Sequence, residues 1–171
     1  MFFEVLLLAS YGLLVHGGGR LRTRAGLHFV VINLAGSTLF LFAAGTFYGV
    51  LGTLNMADMV EKIALLPAEH QGPVKTAGLL LFAVFALKGA LLPLHLWLPA
   101  AYANTSAAVA ALFAIMTKVG AYSILRLETL IFGSSAGALA GMLNHWLLPL
   151  ALLARRAACG AFRAPHDQGT R

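Results

Sequence analysis

Long apolar runs, each closed by a short polar or glycine-rich break, organise the chain. Apolar residues fill roughly 27–49, 76–98 and 107–125 almost without interruption. A helix crosses a bilayer with about 20 such residues, at about 1.5 Å of rise per residue. Two further runs, 1–15 and 139–154, are apolar but short. The first gives only about 22 Å of helix against a hydrocarbon core of about 30 Å. Both lie at the ends of the chain, which suggests spans truncated from a longer bundle. The pattern predicts an all-α membrane protein of about five transmembrane helices, the third interrupted near Pro93. Residues 1–153 are expected to form a partial transmembrane domain, truncated at both ends. From Ala154 the tail A-R-R-A-A-C-G-A-F-R-A-P-H-D-Q-G-T-R loses membrane character, and 154–171 is expected to be basic and disordered.

The connections carry the orientation. Residues 16–26 hold Arg20, Arg22 and Arg24 and read as cytoplasmic, because Lys and Arg are biased to that side. The 50–75 connection carries Asp58, Glu61 and Glu69 against Lys62 and Lys75, and reads as the opposite side. The 99–106 loop is uncharged, Arg126 and Glu128 cancel in the fourth loop, and the tail is basic again. Alternation with the N-terminus outside satisfies every loop. Within 50–75, Met56, Met59, Val60 and Ile63 recur at helical intervals, which predicts a short helix lying in the interface.

Composition agrees with a membrane solvent. The chain is 60% hydrophobic and 11% charged, with a mean hydropathy of +0.84, whereas soluble domains carry about 25% charged residues. The net charge of +6 would suit a nucleic-acid binder were it not confined to loops and tail; alternation of basic loops with apolar spans is a topology signal, and no nucleic-acid partner is expected. The single cysteine, Cys159, forms no internal disulfide. No basic stretch precedes the first apolar run and Glu4 lies within it, so it does not read as a secretory signal. H-G-G-G at 16–19 lacks the G-x-S-x-G elbow that would make it an oxyanion motif and reads as a turn. There is no glycine-rich phosphate loop, metal-ligand cluster or nucleophile–base arrangement, and no cofactor is expected.

Charged residues inside the spans carry the functional signal. In F-A-L-K-G-A-L-L-P-L-H-L-W-L-P, Lys88 lies near the middle of its run. The headgroups are then about 15 Å away in either direction, too far for four methylenes to reach. The ammonium is therefore expected to face the bundle interior, with a partner or water. Pro93 has no N–H to give to the carbonyl of Gly89 and crowds it, and open backbone at this depth is tolerated only in protein or beside water. A broken span with a charge at the break is the local pattern of a transporter site. His95 shares the face of Lys88 if the helix resumes, and reads equally as a proton relay or an interfacial histidine beside Trp97. Lys118, in A-A-L-F-A-I-M-T-K-V-G-A-Y-S-I-L, is again central, with Ala111, Ala114 and Tyr122 on its face. Small residues there would let a neighbouring backbone approach. Glu4 is the only acidic residue in any apolar run. Asn33, Gly36 and Ser37 suit helix packing or a hydrated wall, packing being preferred.

These residues resemble a known family. L-K-G-A-L-L-P-L-H-L-W-L-P-A-A-Y, then V-A-A-L-F-A-I-M-T-K-V-G-A-Y-S-I-L-R, together with F-F-E-V-L-L-L-A-S-Y-G-L-L and N-L-A-G-S-T-L-F-L, resembles the proton-translocating antiporter-like membrane subunits. These are shared by Mrp/Mnh/Pha-type Na+(K+)/H+ antiporters and respiratory complex I. The likeness covers about residues 1–153 and is nearest to the D-type member of the multisubunit antiporters. It implies that the chain corresponds to helices five to nine of a fourteen-helix subunit. It further implies that Glu4 pairs with Lys88, that Lys118 continues the proton path, and that Pro93 and His95 belong to the discontinuous seventh helix. The implied partners are other membrane subunits, the bilayer, protons and Na+ or K+, in a bacterial inner membrane. Alternatives are a proton-pumping subunit of an NADH:quinone oxidoreductase-type complex, or a non-functional remnant of either. The sequence departs from the family at Ala108, where a proline is usual, and at Ala100, which the D-type pattern permits. The upstream helices and the inverted second repeat have no counterpart in it.

Overall fold

The computed structural model describes residues 2–91, 94–103, 105–133, 136, 139–141, 143, 145 and 147–153. The described elements are helical: α1 (Phe2–Val15), α2 (Arg20–Leu51), α3 (Met56–Ala64), α4 (Ala68–Lys88), a 3-10 turn (Leu94–Leu96), α5 (Trp97–Ala103) and α6 (Ala107–Arg126). A π-helical turn (Leu127–Ile131) prolongs α6, and residues 147–153 are helical again. The tail beyond Leu153 lies outside the described residues.

The H-G-G-G stretch is a tight turn between α1 and α2. Gly18 and Gly19 adopt φ values of 66° and 98°, which only glycine takes without a steric cost. The amide of Gly18 closes the turn on the carbonyl of Val15 at 3.0 Å. α2 then runs 32 residues, well beyond the apolar stretch predicted for it. Hydropathy marks only the segment that meets lipid, while Arg20, Arg22 and Arg24 continue the helix outward with good helix formers. At its other end Gly52 caps the helix in the left-handed conformation (φ 70°), its amide bonded to the carbonyl of Tyr48. Lys62 reaches back from α3 and donates to the carbonyl of Leu51 at 3.1 Å, placing a cation at the negative end of α2.

α3 is the amphipathic helix that the spacing predicts. Asn55 caps it by accepting from the amide of Ala57 at 3.1 Å, and Met59 and Ile63 are buried. They pack in one cluster with Leu127 and Ile131 of the π turn, Leu51 and Phe47 of α2, and Phe82 of α4. The α2–α4 connection and the far end of α6 therefore share one end of the molecule, as the alternating topology requires. A second cluster joins Leu7 and Leu14 of α1, Phe29 of α2, Trp97 and Ala101 of α5, and Phe113 and Met116 of α6. Phe29 is its hub, with ring centroids 5.6 Å from Tyr11, 5.1 Å from Trp97 and 5.0 Å from Phe113.

Of the five expected spans, α2 and the continuous Ala107–Ile131 unit are, among the described residues, the uninterrupted helices long and apolar enough to cross a membrane. α6 keeps its predicted bounds almost unchanged. The predicted third span does not: α4 starts earlier, at Ala68, and stops at Lys88.

Candidate functional site at the broken helix

The α4 helix ends by a complete capping motif. The amide of Leu91 bonds to the carbonyl of Ala86 at 2.9 Å and that of Ala90 to Leu87 at 3.1 Å, the paired bonds of a Schellman ending. The left-handed position this motif requires is filled by Ala90, at φ 51°, the one non-glycine residue with positive φ among those described. An L-residue there costs about 1–2 kcal/mol. The break thus falls at residues 89–91, before Pro93, which itself lies outside the described residues. The carbonyls of Phe85, Ala86 and Leu87 are re-bonded within this ending. Trp97 adds to this: its indole Nε1–H donates to the carbonyl of Leu87 at 3.1 Å. The residue is only 3% exposed and its ring packs on Phe29.

At the break two glycines meet. A Cβ on Gly120 of α6 would fall on the amide nitrogen of Gly89 and lie 2.7 Å from its Cα and 2.9 Å from the carbonyl carbon of Lys88. One on Gly89 would meet the carbonyl of Phe85 at 3.0 Å and the amide of Ala121 at 3.4 Å. Backbone lies directly against backbone, so the small-residue approach expected beside Lys118 occurs instead at Gly120. The signal was present in the sequence as the glycine of T-K-V-G-A-Y. Only the tertiary fold shows that its partner is Gly89.

Lys88, the last residue of α4, is 5% exposed. It is not without a partner in the protein. The other buried polar side chains among the described residues are Ser10 of α1, fully buried, and Asn33 of α2, 2% exposed. Ser10 Oγ donates to the carbonyl of Leu7 at 2.6 Å, and Asn33 Nδ2 to that of Phe29 at 2.9 Å. Each therefore donates a hydrogen bond within its own helix. Ser10 was not singled out from the sequence. The packing role preferred for the Asn33 face agrees with burial of Gly36, where an added Cβ would meet Leu87 Cδ2 at 3.4 Å.

The remaining predicted residues fall in different places. Glu4 lies in α1, and its side chain, with the pairing to Lys88 that the resemblance implies, lies outside the described residues. His95 sits in the 3-10 turn; the helix does not resume through it as an α-helix, so the seven-residue spacing to Lys88 no longer fixes a shared face. Its Nδ1 is buried and has no hydrogen-bond partner among the described residues. Lys118 is exposed, together with Ala111, Ile115 and Tyr122. The inward face of α6 is Val109, Phe113, Met116, Gly120 and Ile124. Lys118 and Gly120 are about 200° apart around the helix, so the chain by itself does not bring Lys118 to Lys88. Glu128 belongs not to a loop but to the π turn. Its carboxylate accepts from the backbone N–H of Leu143, while Oε2 is buried with no partner among the described residues. No group of three His, Cys, Asp or Glu side chains that could hold a metal occurs among the described residues.

A helical membrane protein with an amine buried at a break in a helix is thereby defined. Residues 1–155 match the transmembrane family described as NADH:quinone oxidoreductase/Mrp antiporter, and the chain belongs to that family. It is 48% identical over 148 residues to the D component of a probable K(+)/H(+) antiporter of Rhizobium meliloti, covering 86% of this chain and 28% of that protein. It is 44% identical over 154 residues to the D component of the Na(+)/H(+) antiporter of Bacillus subtilis, covering 90% and 31%. Among solved structures, a chain of the Mrp complex from Dietzia superposes with a TM-score of 0.67 at 35% identity, over 77% of this chain and 24% of that one. A chain of the archaeal membrane-bound sulfane sulfur reductase, a respiratory complex, gives 0.75 at 26% identity, over 89% and 30%. The chain thus spans under a third of the length of these relatives.

Proposed function

We propose that this chain is the proton-conducting segment of the D-type component of a multisubunit monovalent cation/proton antiporter, multi-pass in a bacterial inner membrane. The observation that carries the reading is Lys88, buried at the end of a helix that stops inside an apolar stretch. Burial penalises a charged amine and a neighbouring carboxylate favours it. A pairing with Glu4 that closes and opens would therefore load Lys88 with a proton and release it. His95 supports the route, because its buried Nδ1 has no partner among the described residues and is available to exchange a proton.

Lys118 is the next site in this scheme. An ammonium in the middle of a long apolar helix is not stable among acyl chains, so its exposed face needs protein or water over it. Other membrane subunits, or further helices such as those that make the relatives longer, would supply that cover. The transported ion is Na+ or K+, both of which occur in the relatives' names.

The test is Lys88→Ala in the complete transporter. Ion-coupled proton flux is lost while the complex still assembles; normal flux would refute the assignment. A second reading, a proton-pumping arm of an NADH:quinone oxidoreductase-type complex, is favoured by the likeness to the respiratory complex. Neighbouring genes distinguish the two: small antiporter subunits in one case, quinone-binding and iron–sulfur proteins in the other. Failure of the chain to persist as an unaggregated membrane protein would support a non-functional remnant instead.

A further inference from the structure

A cavity of about 500 Å³ lies between α2, α6 and the body of the broken helix α4, beside α3. Leu41 and Ala44 of α2, Phe85 of α4 and Met56 and Met59 of α3 contribute to its walls, and the charged residue among its lining is Arg126. The wall is hydrocarbon almost throughout, with two methionines able to adapt to an irregular occupant. Leu41, in the lining, is 69% exposed, so the trough is open along α2.

The charge sits at one end. Arg126 closes α6 on the side where α3 packs against the π turn, and it makes no ion pair among the described residues. From there the lining runs inward along α2, from Phe47 towards Phe40. A cation at headgroup depth and an apolar trough running towards the membrane interior match an amphiphile with an anionic head. A transmembrane helix does not fit: with a diameter of about 10–12 Å it would fill such a volume within about one turn. An acyl chain is thin enough, and a guanidinium offers a phosphate two parallel N–H donors.

We propose that this trough binds one anionic phospholipid, an acyl chain lying along Leu41, Ala44 and Phe85 and the phosphate on Arg126. The trough shares Tyr122 with the exposed face of Lys118, but the proposal is read out by lipid retention and not by ion flux.

Native mass spectrometry of the full chain, extracted into detergent with equal amounts of phosphatidylglycerol and phosphatidylcholine, tests it. One lipid is retained, with phosphatidylglycerol enriched about fivefold over the mixture, the preference expected of one cation near an anionic headgroup. Arg126→Gln lowers the ratio to about that of the mixture, and Arg126→Lys keeps part of the preference, which a merely structural arginine would not do. Ala44→Trp fills the trough and removes both lipids, with helicity by circular dichroism unchanged. Equal retention of the two lipids by the unaltered chain would overturn the proposal. So would a preference that survives Arg126→Gln, or a dimer mass abolished by Ala44→Trp, which would make the occupant a second copy of the chain.

Discussion

Adding one methyl group at Gly120 tests whether the break in α4 is held by its neighbour. In Gly120→Ala the new Cβ lands on the amide nitrogen of Gly89, 2.7 Å from its Cα and 2.9 Å from the carbonyl carbon of Lys88. None of these is the end of a flexible side chain. The Gly89 amide is fixed by its bond to the carbonyl of Phe85 at 2.7 Å, and the next two amides are fixed by the capping bonds. Relief requires the two helices to separate by about 1 Å, and overpacking of this kind costs about 1–3 kcal/mol. Lys88 is bonded directly to Gly89 and moves with it. The expected result is a lower midpoint of thermal unfolding in detergent. In proteoliposomes, dye-reported ΔpH-driven exchange should fall further than the loss of folded protein explains. Gly45→Ala and Gly49→Ala are controls, because nothing lies within 4 Å of either added Cβ; they should be neutral or slightly stabilising. A Gly120→Ala variant with unaltered stability and flux would refute the reasoning.

Further expectations follow from single contacts. Ala90→Gly removes the strain of φ 51° and should stabilise the protein by about 1 kcal/mol, read as a raised unfolding midpoint. Phe29→Ala empties the centre of the aromatic cluster and should cost about 3–5 kcal/mol in the same assay. Asp58 is held below its ordinary value of 3.8 by the hydroxyl of Thr53 and then by Lys62, whose Nζ is 3.2 Å away. A depressed carboxylate contributes stability above its unfolded value and loses it as pH falls through the folded one. Hydrogen exchange in α3 should therefore accelerate as pH drops below about 4 relative to Asp58→Asn, once intrinsic exchange is corrected for.

The sequence made some of this legible and concealed the rest for physical reasons. α6 could be placed almost to the residue because its apolar run is bounded by Ser106 and Arg126, and α3 because Met59 and Ile63 fall at helical spacing. The burial of Lys88 followed from its distance to either headgroup layer, an argument that needs no partner. The break falls at residues 89–91, just before Pro93 as the sequence suggested, but the left-handed turn at Ala90 and the contact of Gly89 with Gly120 beside it did not follow. That contact joins two distant segments and has no local signature. Lys118 shows the converse limit: its helical face was assigned correctly with Ala111 and Tyr122, but which face turns inward is decided by the glycine contact on the other side of α6. Trp97 is buried on Phe29 with its indole bonded to the carbonyl of Leu87, a pairing across the break that no local pattern announces.

A permanently charged replacement separates a proton carrier from a fixed charge. Arginine keeps the positive charge of Lys88 and cannot release a proton in the working pH range. The decisive measurement is proton flux through the assembled transporter carrying Lys88→Arg, alongside the unaltered protein. Abolished flux in an intact complex is the outcome that a proton-exchanging amine at the helix break requires. Flux at the unaltered rate would mean that Lys88 supplies charge alone and that protons take another route.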